Sequence, residues 1–528
     1  MKRAGAVAAV GVLGLLAAAC GSSSSGEAGK PAENSTFTYA MVSDPGALDP
    51  ATAASGFANA TLYFAYDTLV HAGEDGKSVS GLAEKWDVKP DSVTFTLRKD
   101  VTCADGSKVT PVDVAANFTY IADPASKSPL LGIIVPAGLK AAADDAAGTV
   151  TLSTPQPHSF ILESTHNVFI VCGKGLKDRS VLAKGTSGTG PYVLNEVVSG
   201  DRYTFTRREG YTWGPGGMTN TEPGQPGKVV LKIVSNEQTA ANLLFSGAVN
   251  LGVFFGPDRP RVEAAPGLAK DTVPIAVEQI YFHQGVDRPT KELTVRKALV
   301  QALNMEELGR ITTSGTGRPP KSLIMHPGPC PGDNVSGALP AYDVAAATAA
   351  LDSAGWKAGP DGIRVKDGKK LTLRLAFSTA SGSGGQAGVE YIADAWRKVG
   401  VDTQINAQST IKMNETMTVT GNWDVGLFGI GLPLPSQFVG LFSGTPAPKG
   451  GNFAHLANER YDRLVAEAAK LPGEPGCAKW NEAERALVEN VDVYPFVGTT
   501  WLTAGKNATA KTQGFLVIPS SIRMTKGS

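Results

Sequence analysis

Between residues 81 and 118 the chain reads GLAEKWDVKPDSVTFTLRKDVTCADGSKVTPVDVAANF, and its centre alternates strictly. Val93, Phe95 and Leu97 fall on one side and Thr94, Thr96 and Arg98 on the other, the period of a half-buried strand. Asp105-Gly106 marks a tight turn. Thr110 then supplies an N-cap, Pro111 the first helical position and Asp113 a first-turn acid, for a helix carrying Val114, Ala115 and Phe118. The pattern predicts strand, turn and capped helix in that order.

The same alternation recurs along the chain. Residues 36–40 and the run Val229, Leu231, Ile233 predict strands, and residues 237–246 a helix stopped by Gly247. Leu62, Ala65, Tyr66 and Leu69 repeat at helical spacing and belong to a core. Residues 277–284 (VEQIYFHQ) predict a strand leading to one amphipathic helix over 293–308, with Val295, Leu299, Ala302 and Leu303 on one face. Beyond it come a helix over 344–354 capped by Asp343, a strand through Leu371, Leu373, Leu375 and Phe377, and a helix over 389–399 ended by Gly400. A strand at 423–425 and helices over 461–471 and 478–491 follow. Strands and helices in alternation predict an α/β layered fold. The glycine-rich run at 185–192 (GTSGTGPY) lacks the Gly-Lys-Ser/Thr ending of a phosphate loop and reads as a turn.

Composition narrows the function. Lys plus Arg and Asp plus Glu balance at 49 each, so nothing marks a nucleic-acid partner. No HExxH, GxSxG or paired Cys/His arrangement occurs, and histidines 71, 158, 166, 283, 326 and 455 are scattered, which predicts neither an enzyme nor a metal or cofactor site. The chain opens with Lys2 and Arg3, an uncharged run over 4–19, and Leu16-Ala17-Ala18-Ala19-Cys20. That resembles a bacterial lipoprotein signal, in which Cys20 is diacylated after cleavage; residues 21–35 read as a flexible tether. About 490 residues follow, room for two or three domains. With Cys20 lipidated, Cys103, Cys172, Cys330 and Cys477 form an even set that allows three disulfide connectivities outside the cell.

Leu82-Ala83, Trp86, Phe95-Thr96-Leu97-Arg98, Asp105-Gly106 and Asp113-Val114, in this order, resemble the signature of the extracytoplasmic solute-binding proteins of ABC transporters, in the oligopeptide/dipeptide-binding family (family 5). The turn at 188–192 (GTGPY), the Val295-Arg296-Lys297-Ala298-Leu299 helix start and the Tyr494-Pro495-Phe496 segment are similar to later parts of that family's pattern. The resemblance spans about residues 36–515.

The resemblance implies an α/β, two-lobe periplasmic-binding-protein-like fold of the large type II kind, with an accessory subdomain inserted in lobe I. The expected division is a signal peptide at 1–19, lipidated cysteine and tether at 20–35, lobe I at 36–90, subdomain at 91–184, lobe I again at 185–280, lobe II at 281–498 and a return to lobe I at 499–528. It implies bridges Cys103–Cys172 and Cys330–Cys477, each within one lobe. Two crossings, near 279–284 and 497–503, would let ligand binding draw the lobes together. Residues expected at the cleft are Phe57, Phe254 and Phe255 (the pair on a loop before Gly256-Pro257), His283, Phe428, Gln437 and Trp501. The implied partners are a peptide or small-molecule ligand, the permease subunits of an ABC importer, and the membrane through a lipid anchor, with the protein a monomer on the outer face of the cytoplasmic membrane. Peptide binders of this family hold the amino terminus with an aspartate in the segment that here reads GIGLPLPSQF over 429–438, which has no acid. A capped peptide, a sugar or another neutral solute therefore stands beside an ordinary peptide, and a ligand-sensing lipoprotein without a transporter is the alternative function.

Overall fold

The computed structural model describes residues 30–526, apart from 33, 54, 326 and 514–515. The expected signal peptide, Cys20 and His326 lie outside the described residues.

Lobe I opens with strand β1 (Thr36–Met41), followed by a separate four-stranded sheet of β2 (Ala83–Lys89), β3 (Ser92–Leu97), β4 (Lys140–Asp144) and β5 (Thr149–Ser153), in the order β2-β3-β5-β4. In β3, Val93, Phe95 and Leu97 are buried, while Ser92, Thr94 and Thr96 are only partly covered. The helix Pro111–Ala122 lays Val114, Ala115, Phe118 and Ile121 into the same core. Its start is fixed by a capping box: Thr110 Oγ1 accepts from Asp113 N at 3.2 Å and Asp113 Oδ2 accepts from Thr110 N at 2.9 Å. Such a cap contributes about 1 kcal/mol. This sheet and helix are the core of the extra subdomain. Its sheet includes β2, which the expected boundary at 91 left in lobe I, because Trp86 pairs directly with Phe95 across the β2–β3 ladder.

The other lettered strands join one ten-stranded sheet. They are β6 (Tyr192–Val198), β7 (Arg202–Arg207), β8 (Lys228–Ile233), β9 (Leu251–Phe254), β10 (Ala269–Phe282), β11 (Thr372–Ser378), β12 (Asp402–Gln408), β13 (Val425–Ile430) and β14 (Val493–Gly505). With β1 the order is β12-β11-β13-β10-β14-β9-β1-β8-β7-β6. The β1, β8 and β9 strands are parallel to one another, as are β11, β12 and β13. Lobe I packs Phe37, Tyr66, Phe205 and Leu231 in one core; lobe II packs Leu299, Leu375, Trp396 and Phe496 in another. The architecture is a mixed α/β, two-lobe, periplasmic-binding-protein-like fold with an extra subdomain.

Two strands carry the chain between lobes. β10 and β14, of 14 and 13 residues, run antiparallel through both. In lobe I, β9 covers 502–505 of β14; in lobe II, β13 covers 277–282 of β10. Between these lie only the pairs Val273–Trp501, Pro274–Thr500 and Ala276–Thr499, with Ile275 bulged out of register. A second register shift falls between Glu278 and Gln279. Bulges bend and twist a strand locally, which suits a two-stranded bridge. The first crossing therefore lies at 274–276, and 279–282 are already lobe II sheet. Arg259 donates to Thr500 O at 2.7 Å, and Arg318 exchanges backbone hydrogen bonds with Gly498 at 2.9 and 2.8 Å, so each lobe holds the bridge from its own side.

The expected single helix over 293–308 is two, Leu293–Gln301 and Met305–Thr312. The first ends at its C-cap Ala302, and Asn304 caps the start of the second, its Oδ1 accepting from Glu307 N at 3.0 Å. An Asn side chain competes with the helical ladder for backbone donors and favours a cap over an interior position. The structure bonds Cys103 to Cys172 and Cys330 to Cys477. The turn at Gly188 and Gly190 packs on Ala65 and Tyr66 so closely that a Cβ at either would lie 2.3–2.4 Å from them.

Candidate ligand-binding cleft

Strand direction locates the cleft. β9 is parallel to β10, so its carboxyl end points toward lobe II; β13 is antiparallel to β10, so its carboxyl end points toward lobe I. The carboxyl ends of both sets of parallel strands thus face each other across the bridge. Ligands of open α/β sheets bind in the crevice outside such ends.

On the lobe I side stands a stack of three aromatic rings. Trp501 lies between Phe57, at 6.2 Å between centroids and 15° between planes, and Phe255, at 5.1 Å and 22°. Phe57 sits in the first turn of the helix Gly56–Leu62, which Ser55 caps by accepting from Ala58 N at 3.0 Å. Phe255 follows β9 directly, and Glu237 holds the turn, accepting from Phe255 N at 2.7 Å and Gly256 N at 2.9 Å. Phe255 is 48 % exposed, a large apolar side chain left open to the cleft side of the strand end. Phe254 does not join it. As the last residue of β9 it points to the opposite face and is fully buried with Ala241, Leu244 and Leu502.

Lobe II contributes Phe428, half-buried and stacked on Tyr281 at 4.4 Å. Beside it Gln279, paired with Phe428 in the β10–β13 ladder, accepts from Tyr281 Oη at 2.6 Å. The Gln279 Nε2 donor is buried and has no hydrogen-bond partner among the described residues. A donor left so costs about 1–3 kcal/mol, which makes Gln279 a polar position worth attention in this cleft. Gln437 is buried, and its Oε1 caps the 435–438 turn by accepting from Leu434 N at 3.1 Å.

His283 is placed elsewhere. It follows the far end of β10, ten residues beyond the Val273 that pairs with Trp501, roughly 33 Å along a strand. Its ring lies 4.9 Å from Trp423 and 4.4 Å from His455, and burial pushes its pKa down to about 4, with the His455 charge adding to the effect. The seven expected residues thus divide: Phe57, Phe255 and Trp501 come together, Phe428 stands across the bridge, Phe254 and His283 are committed to packing, and Gln437 caps a turn through Oε1 while its buried Nε2, like that of Gln279, has no partner among the described residues. Gln279 and its neighbour Glu278 were missed. The readable signal was two polar residues inside a strand otherwise rich in apolar side chains, VEQIYF.

The lobes also touch at the outer edge. Ser159, in the extra subdomain, donates its hydroxyl to Ala468 O at 2.8 Å and accepts at its carbonyl from Gly473 N at 2.7 Å. Phe160 meets Trp480 at 5.7 Å and shares a small apolar cluster with Leu434 and Ala468. Among the described residues no group of three or more His, Cys, Asp or Glu could hold a metal ion, and no helix is long and apolar enough to cross a membrane.

A family model described as bacterial extracellular solute-binding proteins, family 5 (middle), matches residues 77–448. The periplasmic murein peptide-binding protein MppA of Escherichia coli is 25 % identical over 502 residues, 88 % of each chain. A substrate-binding protein from Microbacterium hydrocarbonoxydans, solved with 4-hydroxybenzoate hydrazide, superposes with a TM-score of 0.72 at 26 % identity, covering 93 % of this chain and 100 % of that one. NikA from Brucella suis, solved with Fe(III)-EDTA, shares the fold with a TM-score of 0.77 at 22 % identity, covering 93 % and 99 %.

Proposed function

The chain belongs to the bacterial extracellular solute-binding proteins of family 5, and on that premise we propose that it captures a peptide or peptide-like solute between its lobes and passes it to the permease of an ABC importer. The observation that carries this reading is the pair of opposed strand ends, with the Phe57–Trp501–Phe255 stack on one side and Phe428, Tyr281 and Gln279 on the other. Stacked rings bury apolar side chains, and a few placed polar groups orient the solute. The likeness to a murein peptide-binding protein over 88 % of both chains supports a peptide-like ligand.

A solute touching both lobes binds the closed form better than the open one. Moving a two-state equilibrium from 1:99 to 99:1 takes about 5.5 kcal/mol of differential affinity. In this reading the protein works as a monomer without cofactor, held through Cys20 to the outer face of the cytoplasmic membrane. Native mass spectrometry of protein purified from its own host tests the ligand class. A retained mass that fragments into amino acids is expected; a retained compound with no amide-linked amino acids overturns the peptide reading.

A further inference from the structure

A cavity of about 440 Å³ lies in lobe II, within the size range of small-molecule pockets. It is separate from the cleft. Tyr494 of β14 lines it, at the point where β14 pairs with Ile280 of β10. Trp501 stands seven positions further along β14, roughly 23 Å by strand rise. Neither the Phe57–Trp501–Phe255 stack nor Phe428, Tyr281 or Gln279 contributes to the lining.

The lining comes from the start of the helix Met305–Thr312, from Pro319-Pro320, from 335–342 and from Tyr494. These pieces are pinned. Arg318, just before the two prolines, exchanges backbone hydrogen bonds with Gly498. Asn334 donates to Glu484 Oε2 at 2.9 Å and Asp343 N to Gln301 O at 2.8 Å, which fixes the 335–342 segment at both ends. Pro319, Pro320 and Pro340 stand with Leu303, Met305 and Leu339 in the lining, a set of stiff rings and apolar side chains suited to a flat apolar body. Glu306 is the one charged residue among them, and it is exposed.

Tyr494 supplies the polar group. The residue is 1 % exposed, yet its hydroxyl makes no hydrogen bond among the described residues. Other buried tyrosines place theirs on a partner: Tyr211 donates to Asp67 at 2.7 Å and Tyr281 to Gln279 at 2.6 Å. Burial raises the Tyr494 phenol well above its ordinary value, so it stays protonated and able to donate. A buried hydroxyl without a partner is costly, and an acceptor oxygen entering the cavity would relieve it.

We propose that this cavity is a second binding site, for an uncharged ring compound bearing a carbonyl or hydroxyl oxygen. The oxygen accepts from Tyr494 Oη, and the ring lies against the proline and leucine side chains. An anion would face Glu306 with no Lys, Arg or His in the lining to offset it. A cation would gain only an exposed, solvated carboxylate. The site is independent of whatever solute the cleft holds.

The test titrates the intact protein with three probes, followed by ligand-detected NMR: acetophenone, its anionic counterpart benzoate, and ethylbenzene, which has the ring without an oxygen. Acetophenone should bind the wild type at least tenfold more tightly than benzoate. Ala341→Trp, at an exposed lining position, fills the cavity and should weaken acetophenone at least tenfold. Tyr494→Phe keeps the ring and removes the donor; it should weaken acetophenone by about two- to tenfold and leave ethylbenzene unchanged. Trp501→Ala, which damages the cleft, should leave acetophenone binding as it was. Absence of acetophenone binding by the wild type overturns the proposal, as does binding that Ala341→Trp leaves intact or Trp501→Ala abolishes. Benzoate binding as tight as acetophenone overturns the ligand class, and a folded Tyr494→Phe protein with unchanged acetophenone affinity overturns the role of the hydroxyl. None of these outcomes bears on the peptide reading, which concerns the cleft alone.

Discussion

Trp480 donates its indole N–H to Ser159 Oγ at 3.1 Å, tying residues 321 positions apart in sequence and on opposite lobes. With the Ser159 contacts to Ala468 and Gly473, this bond forms a latch at the outer edge of the cleft, remote from the bridge. In the proposed closing motion these contacts form, and opening breaks them.

Trp480→Phe keeps a ring against Phe160 and removes the donor. A net hydrogen bond contributes about 0.5–1.5 kcal/mol, so closure should weaken by roughly two- to tenfold. Small-angle scattering of the ligand-free protein should show a larger radius of gyration for the variant. An unchanged radius and unchanged ligand affinity would show that the latch does not bias closure.

Trp501→Ala removes the middle ring of the stack. Ligand affinity should fall by more than tenfold, about 1.4 kcal/mol, as titration would read. Trp501→Phe supplies the optical control: the difference between its emission and that of the wild type isolates Trp501, and this component should shift when ligand is added.

Glu484 supplies a pH dependence of stability. Burial raises its carboxyl from 4.5 to about 7, and the hydrogen bonds from Leu323, Ser322 and Asn334 only partly oppose this. Between these values the native state holds a proton that the unfolded chain has released. Stability therefore falls as pH rises from about 4.5 to about 7 and levels off above, by on the order of 3 kcal/mol for this group. Glu163 and Glu278 are raised to about 7 as well and act in the same direction. Denaturant titrations of wild type and Glu484→Gln across that range should show a shallower pH slope in the variant.

Cys20→Ser should abolish the anchor of the proposed lipoprotein. Two acyl chains hold firmly because each buried methylene contributes ~0.8 kcal/mol. The variant should appear in the medium or the soluble envelope fraction; continued partition into detergent with the membranes would remove the lipid from the account.

Local pattern made much of the fold legible. The β3 alternation and the Thr110 N-cap with Pro111 and Asp113 lie in a few consecutive residues, and both stand in the structure as read; that Asp113 closes a reciprocal capping box is added by the structure. Long-range relations were harder to read. β10 and β14 each run as one uninterrupted strand through two lobes, so no turn or breaker marks where one lobe ends, and His283 was assigned to the bridge although it stands at the far end. Phe254 and Phe255 differ by one step of a strand, which sends one ring into the core and leaves the other exposed. Glu278 lies opposite Gly429, at the start of the acid-free segment 429–438, a proximity that only the ladder reveals.

The position of β14 in the chain bears on when the protein can fold. This strand is residues 493–505 of 528, yet it is the partner of β9 in lobe I and of β10 in both lobes. Until it has been synthesised, Leu251–Phe254, buried along their whole length in the finished sheet, have an unpaired edge. Neither lobe's ten-stranded part is complete before β14 has been synthesised, whereas the extra subdomain, with its separate sheet and core, lies wholly upstream of it. β14 is the last strand of the ten-stranded sheet in chain order, so both lobes wait on the same 13 residues for their central partner.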